Sequence, residues 1–360
     1  MRTAHWSTIA VGLVGCCLLQ AAWVRGEPID SPALSVSAEL ETAPQVPSAE
    51  EIADRRNNWS DLWRPVARQS PEAINPWTGL YFGTSIVFAK PHLKESFQAN
   101  ILQPATGTMT LVPFSSDYRA APRAWLGFGG PNGFGVQTRY WEYNQGFNPF
   151  DFVTSATALP GAQAVTVVLP AAILSTIPGD VLSVRSGIEM RSLDLEGTVR
   201  HELQGSQLLI SGGLRYAMIR QDYEARVISG VFPSSLTWDR KLEGVGPIIG
   251  AQLRRPIGRS SLALVGGGRA GLIFASKDIH RTAVNALPAP PSNPVVNFDN
   301  ADELLMNLEM ELGMEWSRRL SFGDIFLRGT YEGQLWSDSG GSALGYLGVE
   351  GFGVSVGFSR

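Results

Sequence analysis

Residues 303–316 read ELLMNLEMELGMEW, and their apolar side chains fall on every second position. The alternating apolar residues are Met306, Leu308, Met310, Leu312, Met314 and Trp316. Leu, Met and Glu all favour helices by propensity. A helix would nevertheless spread this apolar set over two separated sides, whereas a strand places it on one face. The segment is therefore predicted to be a strand with one wholly apolar face from Met306 to Trp316 and an opposite face that carries Glu309, Glu311 and Glu315.

The same alternation recurs after residue 76 and predicts about ten strands. In one example, Leu208, Ile210 and Leu214 share a face, while Ser211 and Arg215 share the other. The predicted strands are 79–90, 122–130, 135–143, 192–200, 208–218, 243–254, 260–275, 303–316, 322–336 and 345–358.

The connections between these strands alternate between long and short. The short ones are centred on Pro131-Asn132, Gln204-Gly205, Ile257-Gly258 and Arg318 to Ser321, and the long ones are 91–119, 145–182, 225–236, 277–302 and 337–344. Bacterial outer-membrane barrels sort their connections in this way, with short periplasmic turns and long outer loops. The predicted fold is all-β: a transmembrane up-and-down antiparallel β-barrel of about ten strands, within a range of about 8 to 12. The loops 91–119 and 145–182 contain further apolar runs that could add β-structure.

Composition agrees with a membrane barrel. Charged residues make up only 17% of the chain, against about 25% in typical soluble domains. A net charge of −4 gives no basic surface, so nucleic acid is not an expected partner.

The N-terminal residues 1–26 combine a basic start, an apolar run and small residues, as in a secretory signal peptide. Cleavage after Gly26 would remove both cysteines of the chain and expose Glu27. A lipobox, Leu13-Val14-Gly15-Cys16, leaves lipidation of Cys16 as an alternative. Residues 27–75 are predicted to be a periplasmic linker, in which a capping-box pattern at 48–51 is compatible with one short helix. Residues 76–360 are predicted to form the barrel.

If the apolar faces meet lipid, the opposite face of each strand lines the lumen. Register arithmetic around a tight turn at Gln204-Gly205 places Asp194 opposite Arg215, and around one at Arg319-Leu320 it places Glu311 opposite Arg328. These charges are either a constriction that selects small polar solutes or an ion-paired core that fills the barrel, and the residues alone leave both open. The candidate pore-lining residues are Arg139, Asp194, Glu196, Arg200, Arg215, Arg254, Arg269, Glu309, Glu311, Glu315, Arg328 and Glu332.

Aromatic residues cluster near both ends of the predicted strands and suggest two interfacial girdles. The outer girdle is predicted from Tyr143, Tyr223, Trp238, Trp336 and Tyr346, and the periplasmic girdle from Trp77, Phe128, Phe134, Trp316, Phe322 and Phe358.

Several Gly-rich stretches resemble the pore-forming outer-membrane proteins typified by the Legionella major outer-membrane protein. They are WTGLYFGTSIVFAKPHLKESF from residue 77, GLRY at 213–216, GPIIGAQLRRPIG at 246–258 and the closing YLGVEGFGVSVGFSR. The resemblance covers most of the chain after residue 76. It implies a porin-like barrel with no cofactor and no catalytic set to transfer. The chain departs from the usual aromatic C-terminus, since Ser359 and Arg360 follow Phe358.

The predicted function is passive diffusion of small polar solutes or ions through a charged lumen in the outer membrane. The alternatives are a closed structural or adhesive barrel and an outer-membrane hydrolase, for which Asp278 and His280 in an outer loop are the only acid and base pair singled out. No G-x-S-x-G or H-E-x-x-H pattern accompanies them, so no enzyme is expected.

No metal site or cofactor is expected either, because Asp299, Asp302 and Glu303 miss the spacing of a Ca²⁺ loop and suggest a charged loop instead. The expected partners are outer-membrane lipid and lipopolysaccharide, the barrel-assembly machinery and small polar solutes, and an oligomer is compatible with the sequence.

Overall fold

A computed structural model describes residues 76–93, 97–103, 107–154, 165–168, 173–228, 233–284, 295–338 and 346–360. The predicted signal peptide, the lipobox and the predicted linker with its short helix all lie outside these residues. No helix among the described residues is long and apolar enough to span a membrane.

Ten strands close into one antiparallel barrel, in which each pairs with the next barrel strand along the chain and the last pairs with the first. In chain order the strands are β1 (Gly79–Leu93), β2 (Phe97–Gln103), β3 (Thr108–Pro113), β4 (Arg119–Gly129), β5 (Phe134–Gly146), β6 (Phe150–Val153), β7 (Val165–Val168), β8 (Ile173–Thr176), β9 (Val181–Leu203), β10 (Ser206–Ile228), β11 (Ser234–Pro256), β12 (Leu262–Val284), β13 (Val295–Leu320), β14 (Gly323–Asp338) and β15 (Tyr346–Ser359). The barrel contains β1, β4, β5 and β9 to β15. The predicted all-β barrel is confirmed.

Five further strands lie among the described residues of the connections 91–119 and 145–182. Strand β6 pairs with β9, and β2, β3, β7 and β8 form a separate four-stranded sheet. The apolar runs in these two connections therefore do form β-structure, but outside the barrel ring.

The barrel wall is much longer on one side than a membrane requires. Strands β9 to β12 have 23 residues each and β13 has 26, whereas about 9–11 residues cross a bilayer. Pairing continues to Val227 with Ser234 and to Ala283 with Val295. The prediction of long loops at 225–236 and 277–302 is therefore wrong, because most of these residues extend the strands beyond the membrane. We call this end of the barrel the long-loop end.

The short turns lie at the opposite end, which we call the short-turn end. Leu203 pairs with Ser206, so the predicted turn at Gln204-Gly205 is confirmed. Both turn residues have positive φ, 38° and 79°, as type I′ hairpin turns require. The last turn lies at Ser321-Phe322 rather than at Arg319-Leu320, because β13 continues to Leu320.

The outer face of the barrel is apolar around the middle of the strands. Leu312 is 69% exposed while Glu315, three residues on, is fully buried, so the methionine face of β13 points outward as predicted. At the short-turn end the exposed aromatics Phe128, Phe134, Trp316 and Phe322 match the predicted girdle. Phe358 stacks on Phe322. Trp77 was assigned wrongly, because it is buried.

The predicted outer girdle is largely wrong. Tyr143, Tyr223 and Trp336 are buried inside the barrel, since they occupy inward positions in the alternation, and Trp238 packs beside the buried Tyr223. Only Tyr346 is exposed. Three other tyrosines on outward positions each donate a hydrogen bond to a glutamate: Tyr140 to Glu142 at 2.8 Å, Tyr216 to Glu243 at 2.7 Å and Tyr331 to Glu350 at 2.9 Å.

Candidate functional site in the barrel lumen

The centre of the lumen contains a layer of buried ion pairs. Asp194 and Arg215 are direct cross-strand partners on β9 and β10, which confirms the predicted pair. Arg215 donates from Nε and Nη2 to the two oxygens of Asp194 at 2.6 and 2.7 Å. Its Nη1 lies 2.5 Å from Oε1 of Glu309 on β13. The pair is therefore tied to a strand that is not its neighbour.

Arg269 links further strands across the same layer. From β12 it donates to Oδ2 of Asp194 at 2.8 Å and to Oε2 of Glu196 at 3.2 Å, both on β9. Glu196 also accepts a hydrogen bond of 2.5 Å from Gln137 on β5. Since β9 and β12 are not adjacent in the barrel, these contacts cross the lumen.

A second bidentate pair was missed by the sequence reasoning. Arg123 on β4 donates to both carboxylate oxygens of Glu332 on β14, at 3.0 and 2.5 Å. The signal for Arg123 was present in the sequence, because Ala124, Leu126 and Phe128 are apolar at every second position and the alternation places Arg123 on the opposite, inward face. We call Arg123, Glu332 and the groups described above the ionic layer.

Nearer the short turns, one carboxylate holds two arginines. Glu315 accepts hydrogen bonds from Arg254 Nε at 2.7 Å and from Arg328 Nη2 at 2.8 Å. The predicted pairing of Glu311 with Arg328 is wrong, because the last turn lies two residues later and places Arg328 opposite Glu315. Glu311 instead lies opposite Glu332 and accepts a hydrogen bond of 2.5 Å from Gln252.

The remaining predicted pore-lining residues are more loosely held. Arg200 donates to Thr78 Oγ1 near the short-turn end. Arg139 lies next to Asp194 across β5 and β9, but its Nη1 is 3.9 Å from Glu309 Oε2. All the predicted residues therefore occupy inward positions, and whether they line a conducting pore stays a prediction.

An apolar layer crosses the lumen on the long-loop side of the ionic layer. Along β10, Arg215 is followed by the inward residues Ala217 and Ile219, both almost fully buried. Every barrel strand contributes to this layer, which contains Val87, Ala89, Ala121, Trp141, Tyr143, Ile188, Met190, Ala217, Ile219, Leu242, Ile273, Ala275, Leu305, Trp336, Leu347 and Val349. The layer was not predicted. Its signal is a break in alternation, as at Ile86, Val87 and Phe88, where both faces of the strand are apolar.

Beyond the apolar layer lies a further buried charge cluster. Glu303 accepts hydrogen bonds from Lys277 at 2.5 Å and from Arg240 at 3.2 Å. Glu303 lies on β13 and not in the predicted charged loop. Asp299 and Asp302 lie on the same strand. Among the described residues, no group of three His, Cys, Asp or Glu side chains is placed to hold a metal ion.

A chamber of about 90 Å³ lies between the ionic layer and the short-turn end, enough for several water molecules. Its polar wall includes Arg123, Arg139, Arg269, Arg328, Glu309, Glu311 and Glu332, and at the short-turn end Trp77, Tyr81, Trp125, Leu209 and Phe326 border it. The rings of Tyr81 and Trp125 pack directly against glycines of neighbouring strands. A Cβ on Gly127 would lie 2.2 Å from the Tyr81 ring, and one on Gly83 would lie 2.3 Å from the Trp125 ring.

The Asp278 and His280 side chains lie outside the lumen. They are on outward positions of β12 rather than in a loop, about half exposed, with His280 Nε2 3.3 Å from Asp278 Oδ2. The expectation that the protein is not an enzyme stays a prediction.

Residues 204–341 match the family described as the Legionella pneumophila major outer membrane protein precursor. This part of the chain is therefore similar to that family. The match runs from the turn before β10 to the end of β14 and so includes Arg215, Arg254, Glu309 and Glu315. The family that the sequence resembles is thus confirmed, and the protein is an outer-membrane β-barrel.

Solved structures offer only distant likenesses. The Escherichia coli outer membrane protease OmpT is 9% identical, with 80% of this chain and 97% of that chain covered and a TM-score of 0.39. The CymD monoaromatic hydrocarbon channel is 5% identical over 79% and 89%, with a TM-score of 0.23. The Pseudomonas putida toluene transporter TodX is 7% identical over 78% and 89%, with a TM-score of 0.22. At these scores none supports an argument about function. No curated protein matches the sequence.

Proposed function

We propose that this protein is a porin-like outer-membrane barrel for small polar solutes or ions, and that its ionic layer and apolar layer close the lumen in this conformation. The observation that carries the proposal is the charged wall of the chamber, with four arginines and three glutamates. Apolar side chains of similar volume often stabilise an interior as well as buried ion pairs do, or better. A charged lumen, by contrast, suits the selection of ions.

The dimensions limit the solutes. A ten-stranded barrel is little wider than the eight-stranded kind that side chains can fill, and the chamber measures about 90 Å³. Ions and molecules of a few atoms fit such a space. The apolar layer would act as a hydrophobic constriction, which gates a pore by excluding water.

A closed structural barrel is the second candidate. It is favoured by the same apolar layer, to which all ten barrel strands contribute. In that case the ionic layer is a core, and any function belongs to the part of the wall beyond the membrane.

Bilayer recordings of refolded protein distinguish the two candidates. The wild type should give brief openings of small conductance. Replacing Ile219 and Leu242 together by serine should wet the apolar layer and raise the open probability several-fold. The matched control, Ile219→Val with Leu242→Met, keeps the layer apolar and should behave as the wild type. Silence of both the wild type and the serine variant, with β-structure intact by circular dichroism, would support the closed barrel.

The proposed partners follow from the two faces of the wall. The exposed apolar band would contact outer-membrane lipid and lipopolysaccharide, and the barrel-assembly machinery would insert the chain. Small polar solutes would contact the lumen.

A further inference from the structure

One arginine of the lumen has unused hydrogen-bonding capacity. Among the residues that the structure describes, Arg139 donates no hydrogen bond to another side chain, and its ion-pair contact is the 3.9 Å approach to Glu309. Its side chain is 15% exposed, and it lines the chamber. Its guanidinium therefore presents up to five N–H donors to a polar space.

Two carboxylates near Arg139 are held by other arginines. Asp194, its cross-strand neighbour, accepts hydrogen bonds from both Arg215 and Arg269. Glu309, across the lumen, accepts one from Arg215 at 2.5 Å. Both carboxylates thus have shorter contacts with other arginines than the 3.9 Å approach of Arg139 to Glu309.

Two further arginines line the chamber near Arg139, and each has carboxylate partners of its own. Arg123 lies on the adjacent strand β4, two residues along from the partner of Arg139, and also lines the chamber. It is almost fully buried, and its Nε has no acceptor among the described residues. Arg269 lines the chamber as well. Buried N–H donors without an acceptor are costly, and a bound anion would accept hydrogen bonds from these guanidinium groups.

We infer that the chamber contains a binding site for one small monovalent anion, held by the guanidinium of Arg139 beside Arg123. The size of the chamber limits the ligand to a halide or a carboxylate of very few atoms. Glu309 and Glu311 also line the chamber, and their charges disfavour a dianion such as phosphate. The inference deepens the proposed function, because it names the solute class for which the lumen has a site.

Bromide is the probe for this site. Crystals of the wild-type barrel soaked in sodium bromide should show an anomalous peak within hydrogen-bonding distance of the Arg139 guanidinium. The peak should be absent from Arg139→Gln and present in Arg220→Gln, which removes an exposed arginine from the outer face of β10. A wild-type chamber with no bromide overturns the inference.

A solution measurement checks the same site where Arg139→Gln fails to crystallise. Sodium bromide should raise the thermal unfolding midpoint of the wild type relative to sodium gluconate, whose anion is too large for the chamber. The shift should persist in Arg220→Gln and fall by at least half in Arg139→Gln. Equal shifts in all three proteins would show that bromide acts elsewhere. Bromide bound in a protein that never conducts would refute the pore and leave the anion site as a structural one.

Discussion

Arg328 lies directly opposite Glu315 on β14 and β13, and Glu315 at the same time holds Arg254 from β11. One fully buried carboxylate thus compensates two arginines from different strands. Removing the charge of Glu315 would therefore affect both arginines.

Replacing Glu315 by glutamine should destabilise the barrel by about 3–5 kcal/mol, because it removes the buried carboxylate charge that Arg254 and Arg328 share. Glu311→Gln is the matched control, since Glu311 is bound to the amide of Gln252 and not to an arginine in the contacts described. Urea unfolding in detergent micelles measures both free energies. Similar losses in the two variants would contradict the assignment.

A charge on the outer face should be costly in a different way. Met310 is 44% exposed in the middle of the apolar face of β13. Met310→Arg should lower the free energy of unfolding in lipid vesicles by about 2–4 kcal/mol, as for arginine near the bilayer midplane. Met310→Leu keeps the face apolar and should change it little. If arginine proves as well tolerated as leucine, Met310 does not face lipid.

A methyl group on Gly127, against which the Tyr81 ring packs, should destabilise the barrel. Gly127→Ala places a Cβ 2.2 Å from the Tyr81 ring, and displacing that ring should cost about 1–3 kcal/mol. Gly329→Ala adds the same methyl on a neighbouring part of the sheet where no atom lies within 4 Å. The difference between the two unfolding midpoints isolates the steric effect, and a difference of zero would mean that Tyr81 moves away freely.

A substitution in the turn at Gln204-Gly205 should raise the stability of the barrel. Gln204 has a φ of 38°, and left-handed backbone costs most residues about 1–2 kcal/mol but asparagine less. Gln204→Asn should therefore raise the unfolding midpoint slightly, while Gly205→Ala, at a φ of 79°, should lower it. Thermal denaturation followed by circular dichroism tests both signs, and a stabilising Gly205→Ala would contradict the turn geometry.

Alternation made the barrel predictable. Wherever one face meets lipid and the other a charged interior, as from Met306 to Trp316, the period of two identifies both the strand and the direction of each side chain. The inward positions of Asp194 and Arg215 followed from this period and from a two-residue turn. These features depend on neighbours in sequence, so the sequence contains them.

The features that were missed depend on contacts across the barrel or on the place where a strand ends. The apolar layer shows no alternation, since Ile86, Val87 and Phe88 make both the inward and the outward face of the strand apolar. Nothing in Tyr143 itself distinguishes a ring packed in the lumen from one at the lipid boundary. The last hairpin was misplaced because Arg319 and Leu320 continue the ladder, and an error of two residues changes the partner of every charge.

The extension of β9 to β13 beyond the lipid band affects how easily a protease could cleave the protein at the cell surface. Trypsin sites such as Arg191, Arg220 and Lys241 lie on the outward face of this wall. A protease needs an extended backbone that is free to enter its cleft, but here the backbone groups are paired with adjacent strands. Cleavage at these sites on intact cells would first require adjacent strands of the sheet to separate. The exposed wall is therefore protected by the same backbone hydrogen bonds that hold the strands together in the membrane.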